Sequence, residues 1–575
     1  MRRCASLFLL ASCVASEPKT LVVDLTSPPA PSAATVLAVQ CCAGLMNRQP
    51  ESGGYVYTLM RPEDNDWLTL VAPPSPVRVS PAELLNACLT ASPPVAKGYI
   101  LFNYSAQQLV VPNVLTLAGV LDAVVLESAP STLALAFDAT VAWANFSALQ
   151  ATQFMFDRHV NATRGVSKMN PGLDVHGHPL DPSPPLSLQP DLSLGDYIVK
   201  ARLFNFFLAA GCIPGTQEHA LMERIAEQSP WPRPLAVLGY DDTFPVAGDL
   251  FEAETNCVSE HNLGQVATTG VNNLALFSAL AAPITTPLVQ PPPLPAAPFN
   301  ASQTYVSFVV GDGDNIAMVK GTRFQWMSER VKQCSSSSSS SSSSGGSGSG
   351  GATAAPSALC PPLVWTLSPH LAYLAPQLAQ WFFRAAQGTG RDYFTLPPSG
   401  HTYSYPGSQG PADAAAFVAA TEADAVLYNT SATVDWEWVG TWGATMANFT
   451  PRYAEKGIIT ALFAVNVPYM VPILEFGPLE FFKVFGGTTV LFKPNEWRGT
   501  GGSANPLLHP FLRNATEMAA DLVLAPRGTV TAIYLTSDGG GDWSMFEQLA
   551  EALAGSHVQV VDHVTLARMA LASRG

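Results

Sequence analysis

The sequence predicts an α/β protein: a C-terminal (β/α)8-like, TIM-type barrel preceded by one or two smaller α/β domains. Three observations carry this expectation. The chain has 575 residues, more than one hydrophobic core organises, so two or three domains are expected. Residues 286–301, which contain "QPPPLPAAP", read as a proline-rich linker between an N-terminal region (17–285) and a C-terminal one (302–575). Beyond the linker, apolar β-branched runs at 304–310, 363–368, 392–396, 434–439, 458–465, 488–493, 530–536 and 557–562 alternate with amphipathic segments. Eight such units in about 270 residues match a (β/α)8 barrel.

The elements follow in chain order. Arg2 and Arg3 precede an apolar run from Cys4 to about Ala15. That run is too short for a membrane span and reads as a signal peptide over 1–16, which places the mature chain in the secretory lumen or outside the cell. Seven Asn-X-Ser/Thr sequons, at Asn103, Asn145, Asn161, Asn300, Asn429, Asn448 and Asn514, agree and predict a glycoprotein. The N-terminal region mixes strand-like runs ("TLVVDL", "GYVYTLM", "GYILFN", "PLAVLGY") with a helical pattern over 33–48, in which Cys41 and Cys42 read as buried thiols. In the C-terminal region Leu378, Trp381, Phe382 and Ala385 mark a helix that Gly388 should stop. Asn505 and Pro506 should open the helix before 524, and Ser544 with Glu547 should cap the last-but-one. Residues 458–475 are apolar but interrupted by Asn466, Pro468 and Pro472, so they read as a buried strand and loop. The serine–glycine tract 335–351 has nothing to bury and is expected to be a disordered insertion. Cys334 and Cys360 flank it, and a disulfide between them would close the loop.

Composition narrows function. A net charge of −15 argues against nucleic acid and anionic membranes as partners. No C-x-x-C, H-E-x-x-H, G-x-S-x-G or G-x-x-x-x-G-K occurs, which removes the usual signals for zinc ribbons, metalloproteases, lipases and nucleotide binding. No cofactor is expected.

In a parallel barrel, chemistry occurs at the mouth formed by the residues that follow each strand. The first strand is followed by "GDGDN" (Asp312, Asp314, Asn315), the third by "SGHTYSYP" (Ser399, Gly400, His401, Tyr403, Tyr405). The fourth carries Asp435, Glu437, Trp436 and Trp438, the sixth leads to Glu496, Trp497 and Arg498, and the seventh ends at Asp538, Asp542 and Trp543. "GDGDN" is not an EF-hand loop, since Ile316 occupies a ligand position and Arg323 stands where the bidentate Glu belongs. Eight of eleven tryptophans lie in this half. Carboxylates beside aromatic rings suit carbohydrate chemistry, in which rings stack on sugar C–H faces and two acids handle protonation and attack.

"SGHTYSYP" after "DYFTLPP", with "FVVGDGDNIAMV" and "PLVWTLSP" upstream and "GLMNR" near the start, resembles the GxGYxYP family of putative glycoside hydrolases. The resemblance implies a glycoside hydrolase acting on a carbohydrate and carries over Gly400, Tyr403, Tyr405 and Pro406. The second motif glycine is replaced by Thr402. If that glycine serves a positive φ, Thr402 is strained; if it serves close approach, Thr402 narrows the pocket. The site expectation is therefore Asp312, Asp314, Glu496 and Asp538 as catalytic carboxylates, with Asn315, Ser399, Gly400, His401, Tyr403, Tyr405, Trp438 and Trp497 binding substrate. Two other functions compete with it. One is a metal-dependent deacetylase with Asp312, Asp314 and His370 or His401 as ligands; the other is a non-catalytic carbohydrate-binding protein.

Overall fold

The computed structural model describes residues 18–171, 190–239, 251–268, 270–339, 360–467, 473–499, 512–535 and 544–574. The N-terminal region forms three small parallel sheets. The first contains β1 (Thr20–Asp24), β2 (Tyr55–Leu59) and β3 (Pro76–Val79) in the order β2-β1-β3. The second contains β4 (Gly98–Leu101), β5 (Ala123–Leu126) and β6 (Leu135–Asp138) in the order β5-β4-β6. The third contains β7 (Gly165–Lys168), β8 (Leu203–Phe206), β9 (Leu235–Leu238) and β10 (Leu263–Val266) in the order β10-β9-β7-β8.

The predicted helix over 33–48 is present as Ala33–Arg48, N-capped by the Ser32 hydroxyl and buried along most of its length. Its "GLMNR" end has a structural explanation. A Cβ at Gly44 would lie 2.5 Å from the Asp196 carbonyl, so glycine permits close packing on the helix Gly195–Ala201. Asn47 exchanges two 2.9 Å hydrogen bonds with the Val56 backbone, which ties the helix to β2. Arg48 donates to the Lys200 carbonyl at 2.9 Å and pairs with Asp122. Cys42 is not a free thiol, as expected from sequence, but is bonded to Cys88; Cys41 is buried and free. A second disulfide joins Cys212 to Cys257, and the expected Cys334–Cys360 bridge is formed.

The linker is not a loose tether. The Leu288 amide donates to the Leu427 carbonyl, Gln290 bonds both the amide and the carbonyl of Phe394, and the Leu294 amide reaches Asp562.

All eight C-terminal runs contain strands: β11 (Thr304–Val310), β12 (Leu363–Thr366), β13 (Asp392–Thr395), β14 (Ala432–Trp438), β15 (Ala461–Val467), β17 (Thr489–Phe492), β19 (Val530–Leu535) and β20 (Val558–Val560). Two short strands were not foreseen, β16 (Phe482–Phe485) and β18 (Asn495–Trp497). Their arrangement shows the expected parallel α/β architecture but no closed barrel among the described residues. Two open sheets form, β13-β12-β11-β19-β18 and β14-β15-β17-β16, parallel except for β16. They meet at one parallel bridge, Leu396 to Thr433. On the far side, β17 pairs with β15 while β18, two residues later, pairs with β19. Pro494 lies between them and has no N–H to continue a ladder, so the strand changes partner there. The eighth run, β20, pairs only with the first three residues of β11.

Tyr305, Val309, Tyr393, Val434, Phe463 and Phe492 from these strands share one interior, to which Leu566 and Met569 of the helix His563–Ala572 contribute. Helix ends differ from expectation in two places. Gly390, at φ 64°, caps the helix Pro376–Thr389 instead of Gly388. Asn514, in a capping box with Glu517, opens the helix Ala515–Leu524, whereas Asn505 and Pro506 lie outside the described residues. The helix Phe324–Ser339 takes in the first serines of the tract; 340–359 lie outside the described residues. No helix among the described residues is long and apolar enough to cross a membrane.

Candidate active site

The site expectation requires the turn after β11 and the motif after β13 to share one end of the sheet. They do, through a common neighbour. Gln265 of β10 exchanges two backbone hydrogen bonds with Tyr403, at 2.9 and 2.8 Å, and two residues further on the Ala267 carbonyl accepts from the Ile316 amide at 2.9 Å. The third N-terminal sheet therefore lies against both segments. The turns after β11 and β12 are laced together as well: the Gly313 amide donates to Thr366 Oγ1 and the Ser368 amide to the Gly313 carbonyl. A Cβ at Gly313 would fall 1.9 Å from the Thr366 carbonyl, which only glycine avoids.

Asp312 has φ 60°, so the chain does not stay extended through Gly313 and the alternation expected to aim both aspartates the same way does not apply. The two carboxyls are nonetheless close enough to influence each other, and both influence the Tyr534 phenol. Arg323 donates to the Gly311 carbonyl and lies 3.4 Å from Asp312 Oδ2. Burial, reinforced by the charge of Asp312, pushes the Asp314 carboxyl up to about 8. The Tyr534 phenol is raised well above its ordinary value by burial and then by these two aspartates. Tyr534 packs so closely that a Cβ at Gly311 would lie 2.4 Å from its hydroxyl.

Glu496 stands directly opposite Tyr534 in the β18–β19 register. In-register residues of parallel strands point to the same face, so Glu496 shares the face of Tyr534, and its carboxylate is held 2.8 Å from Arg498. From Tyr534 the rings of Trp436, Tyr403, Tyr405 and Trp438 follow at centroid separations of 6.2, 5.4, 6.4 and 6.4 Å. Asp312, Asp314, Glu496 and this aromatic wall are thus assembled around Tyr534. Asp538, with Asp542 and Trp543, lies outside the described residues.

Several residues expected to bind substrate are committed elsewhere. Trp497 is fully buried, packs on Phe308 and Phe546, and donates to the Arg513 carbonyl, because its position on β18 points it away from Glu496. Ser399 is a buried hub that bonds the backbone of Ser404 and Trp436. Asn315 accepts the amides of Ala317 and Met318 as a helix N-cap. Gly400, at φ 96°, lies against Thr421, so its role is conformational. Tyr403 and Tyr405 are buried wall residues, and only Trp438 at the end of the row is partly open. Asp435 and Glu437 alternate with Trp436 and face the helices outside the sheet, where Glu437 accepts from Thr441, Thr445 and the Gly407 amide.

His401 turns away from the aspartates and bonds Asp424 at 2.7 Å. His370 Nε2 lies 2.6 Å from the His401 carbonyl and Nδ1 3.0 Å from the Tyr373 hydroxyl, and burial pushes the imidazole down to about 3. The ligand set that the deacetylase alternative needs is not gathered: among the described residues no three His, Cys, Asp or Glu side chains are placed to hold an ion.

Thr402 resolves the motif's one departure. It is not at positive φ, and its side chain fills the space left by the absent Cβ of Gly264, which would otherwise meet Thr402 Oγ1 at 1.8 Å. The motif glycine position is therefore one of close approach to β10, and here the glycine sits on the opposite partner. Gly264→Ala is expected to cost about 1–3 kcal/mol through overpacking. Adding Thr402→Gly should recover most of it, as read by chemical denaturation of the two single variants and the double.

A pH effect on stability follows from Asp435, whose carboxyl is raised well above the ordinary range by burial and then by Glu437; burial raises Glu437 to about 7. A folded-state value above the unfolded one means the folded chain binds more protons, so this stability is present below the unfolded carboxyl range and lost as pH rises. Asp435→Asn should therefore melt progressively higher than wild type between about pH 5 and about pH 8. A difference in melting temperature that does not change across this range would refute it.

The fold is that of a mixed α/β protein built on parallel sheets, with carboxyl groups and aromatic rings brought together near Tyr534. Residues 361–453, which run from β12 through the motif and β14, match the model of the GxGYxYP putative glycoside hydrolase C-terminal domain. The crystal structure of a putative hydrolase from Bacteroides thetaiotaomicron shares the fold, with a TM-score of 0.65 over 97% of this chain and 94% of that one, at 16% identity. No curated protein matches.

Proposed function

We propose that the protein is a secreted glycoside hydrolase in which Asp314 is the general acid and Asp312 or Glu496 supplies the second carboxylate. The observation that carries this reading is the environment of Asp314, held up to about 8 by burial beside Asp312. A carboxyl that keeps its proton at neutral pH can protonate a leaving glycosidic oxygen, while an ion-paired carboxylate nearby stabilises or attacks the sugar cation. The aromatic row ending at Trp438 supports a carbohydrate as substrate. Three disulfides support an oxidising compartment, and so do sequon asparagines that are exposed at six of seven positions. The sheet order β17-β15-β14-β13-β12-β11-β19, with a change of partner at Pro494, supports reading the C-terminal half as an opened (β/α) barrel.

The reading is tested by assaying glycosides and acetylated sugars with and without a chelator. Glycoside cleavage that survives chelation is expected. Deacetylation that is lost on chelation and restored by a divalent metal would replace this reading. The binding-only alternative loses its motive, because Thr402 is accommodated by Gly264.

A further inference from the structure

A cavity of about 650 Å³ lies beside the motif at His401, and neither Asp312 nor Asp314 lines it. The third N-terminal sheet and the helix Gly195–Ala201 form its walls, and His370 and His401 lie at its C-terminal edge. Among the described residues its charged lining is cationic: Arg48, Arg164 and Lys200 contribute to it, and no Asp or Glu does. In a chain of net charge −15 this concentration of positive charge is unusual.

Asp122 neutralises Arg48, but that carboxylate is already shared with Lys97 and Arg202. Among the described residues neither Lys200 nor Arg164 forms an ion pair; Lys200 Nζ donates to the Ser278 hydroxyl at 2.7 Å. Burial pushes its ammonium down to about 8 although the charge of Asp196, one turn earlier on the same helix, opposes that shift. The remaining walls are apolar and aromatic, with Tyr197, Trp231 and Tyr373 among them. Such a space takes a ring-sized body and presents cations to one end of it.

We infer that this cavity is a binding site for a small organic anion, an oxyanion group on a ring-sized body such as a sugar acid or sugar phosphate, separate from the carboxylate site. The inference does not depend on the proposed hydrolase activity, since its readout is binding.

The test is calorimetric titration of the full-length protein with glucuronate, glucose 6-phosphate, glucose and inorganic phosphate. The variants Lys200→Met and Arg164→Ser are measured in parallel. One or both charged sugars should bind, glucose should not, and each variant should weaken binding by about tenfold or more. Circular dichroism identifies variants that remain folded, and competition by salt against the wild-type protein gives the same answer if one does not fold. Equal binding of glucose, no binding of either charged sugar, or unchanged affinity in both folded variants would overturn the inference. Inorganic phosphate binding as tightly as the charged sugars would overturn the ring-sized class.

Discussion

Asp314→Asn is expected to lower kcat/KM by about 10²–10⁴-fold, the usual contribution of a positioned general acid. The substitution keeps the shape of the side chain and removes a proton donor that burial holds in place up to about pH 8. Melting temperature should stay within a few degrees of wild type. The wild-type enzyme should also lose activity on the alkaline side as Asp314 gives up its proton, so the descending limb of the pH profile should fall near 8. A substrate with a leaving group that needs no protonation separates the two roles: Asp314→Asn should retain much of its activity there, whereas removing the second carboxylate, by Asp312→Asn or Glu496→Gln, should not. An Asp314→Asn variant with wild-type turnover on ordinary glycosides would remove the assignment.

The largest stability effect is expected at Lys320. Its ammonium is buried against the Asp64 carboxylate and the Asn272 side chain, and its own carbonyl accepts from Trp67 Nε1 at 2.7 Å. Asp64 meanwhile accepts the Met60 and Arg61 amides, each at 2.8 Å. The pair joins the helix that follows the Asp312–Asp314 turn to the N-terminal region. Lys320→Met leaves a buried carboxylate without its counter-charge, so a loss of about 3–5 kcal/mol is expected. Converting Asp64 to Asn in the same chain should recover a large part of it. Denaturant unfolding of the single and double variants measures both, and a single-variant loss below about 1 kcal/mol would show that the pair is not what joins the two parts.

What could be read from sequence was local. Apolar β-branched runs located every one of the eight strands, and the glycine-flanked aspartates marked the turn after β11. The alternation in "VDWEW" also separates Trp436 and Trp438 from Asp435 and Glu437, and the structure puts these on opposite faces of β14. Pairings across long separations were not legible. Nothing near Tyr534 announces that Asp312 and Asp314 influence it, because that depends on β19 lying beside β11. Trp497 reads as a ring at a strand end like Trp438, yet the change of partner at Pro494 turns it into the core. Closure was not legible for the same reason: the rhythm of strand and helix gives the number of units, whereas closure depends on which ladder each strand joins.

The paired amides of Gln265 and Tyr403 have a consequence for how this protein can be divided or recombined. The proline-rich stretch looks like a seam, but the signature segment is completed by a strand from the other side of it. A fragment starting at the seam would have the tyrosine's backbone donor and acceptor uncovered and Thr402 facing empty space. A chimera that took its first half from a relative would meet the opposite problem wherever that relative carried a side chain at the position of Gly264. Residues 264 and 402 therefore have to travel as a pair, and the unit that can be exchanged intact is the whole two-part chain.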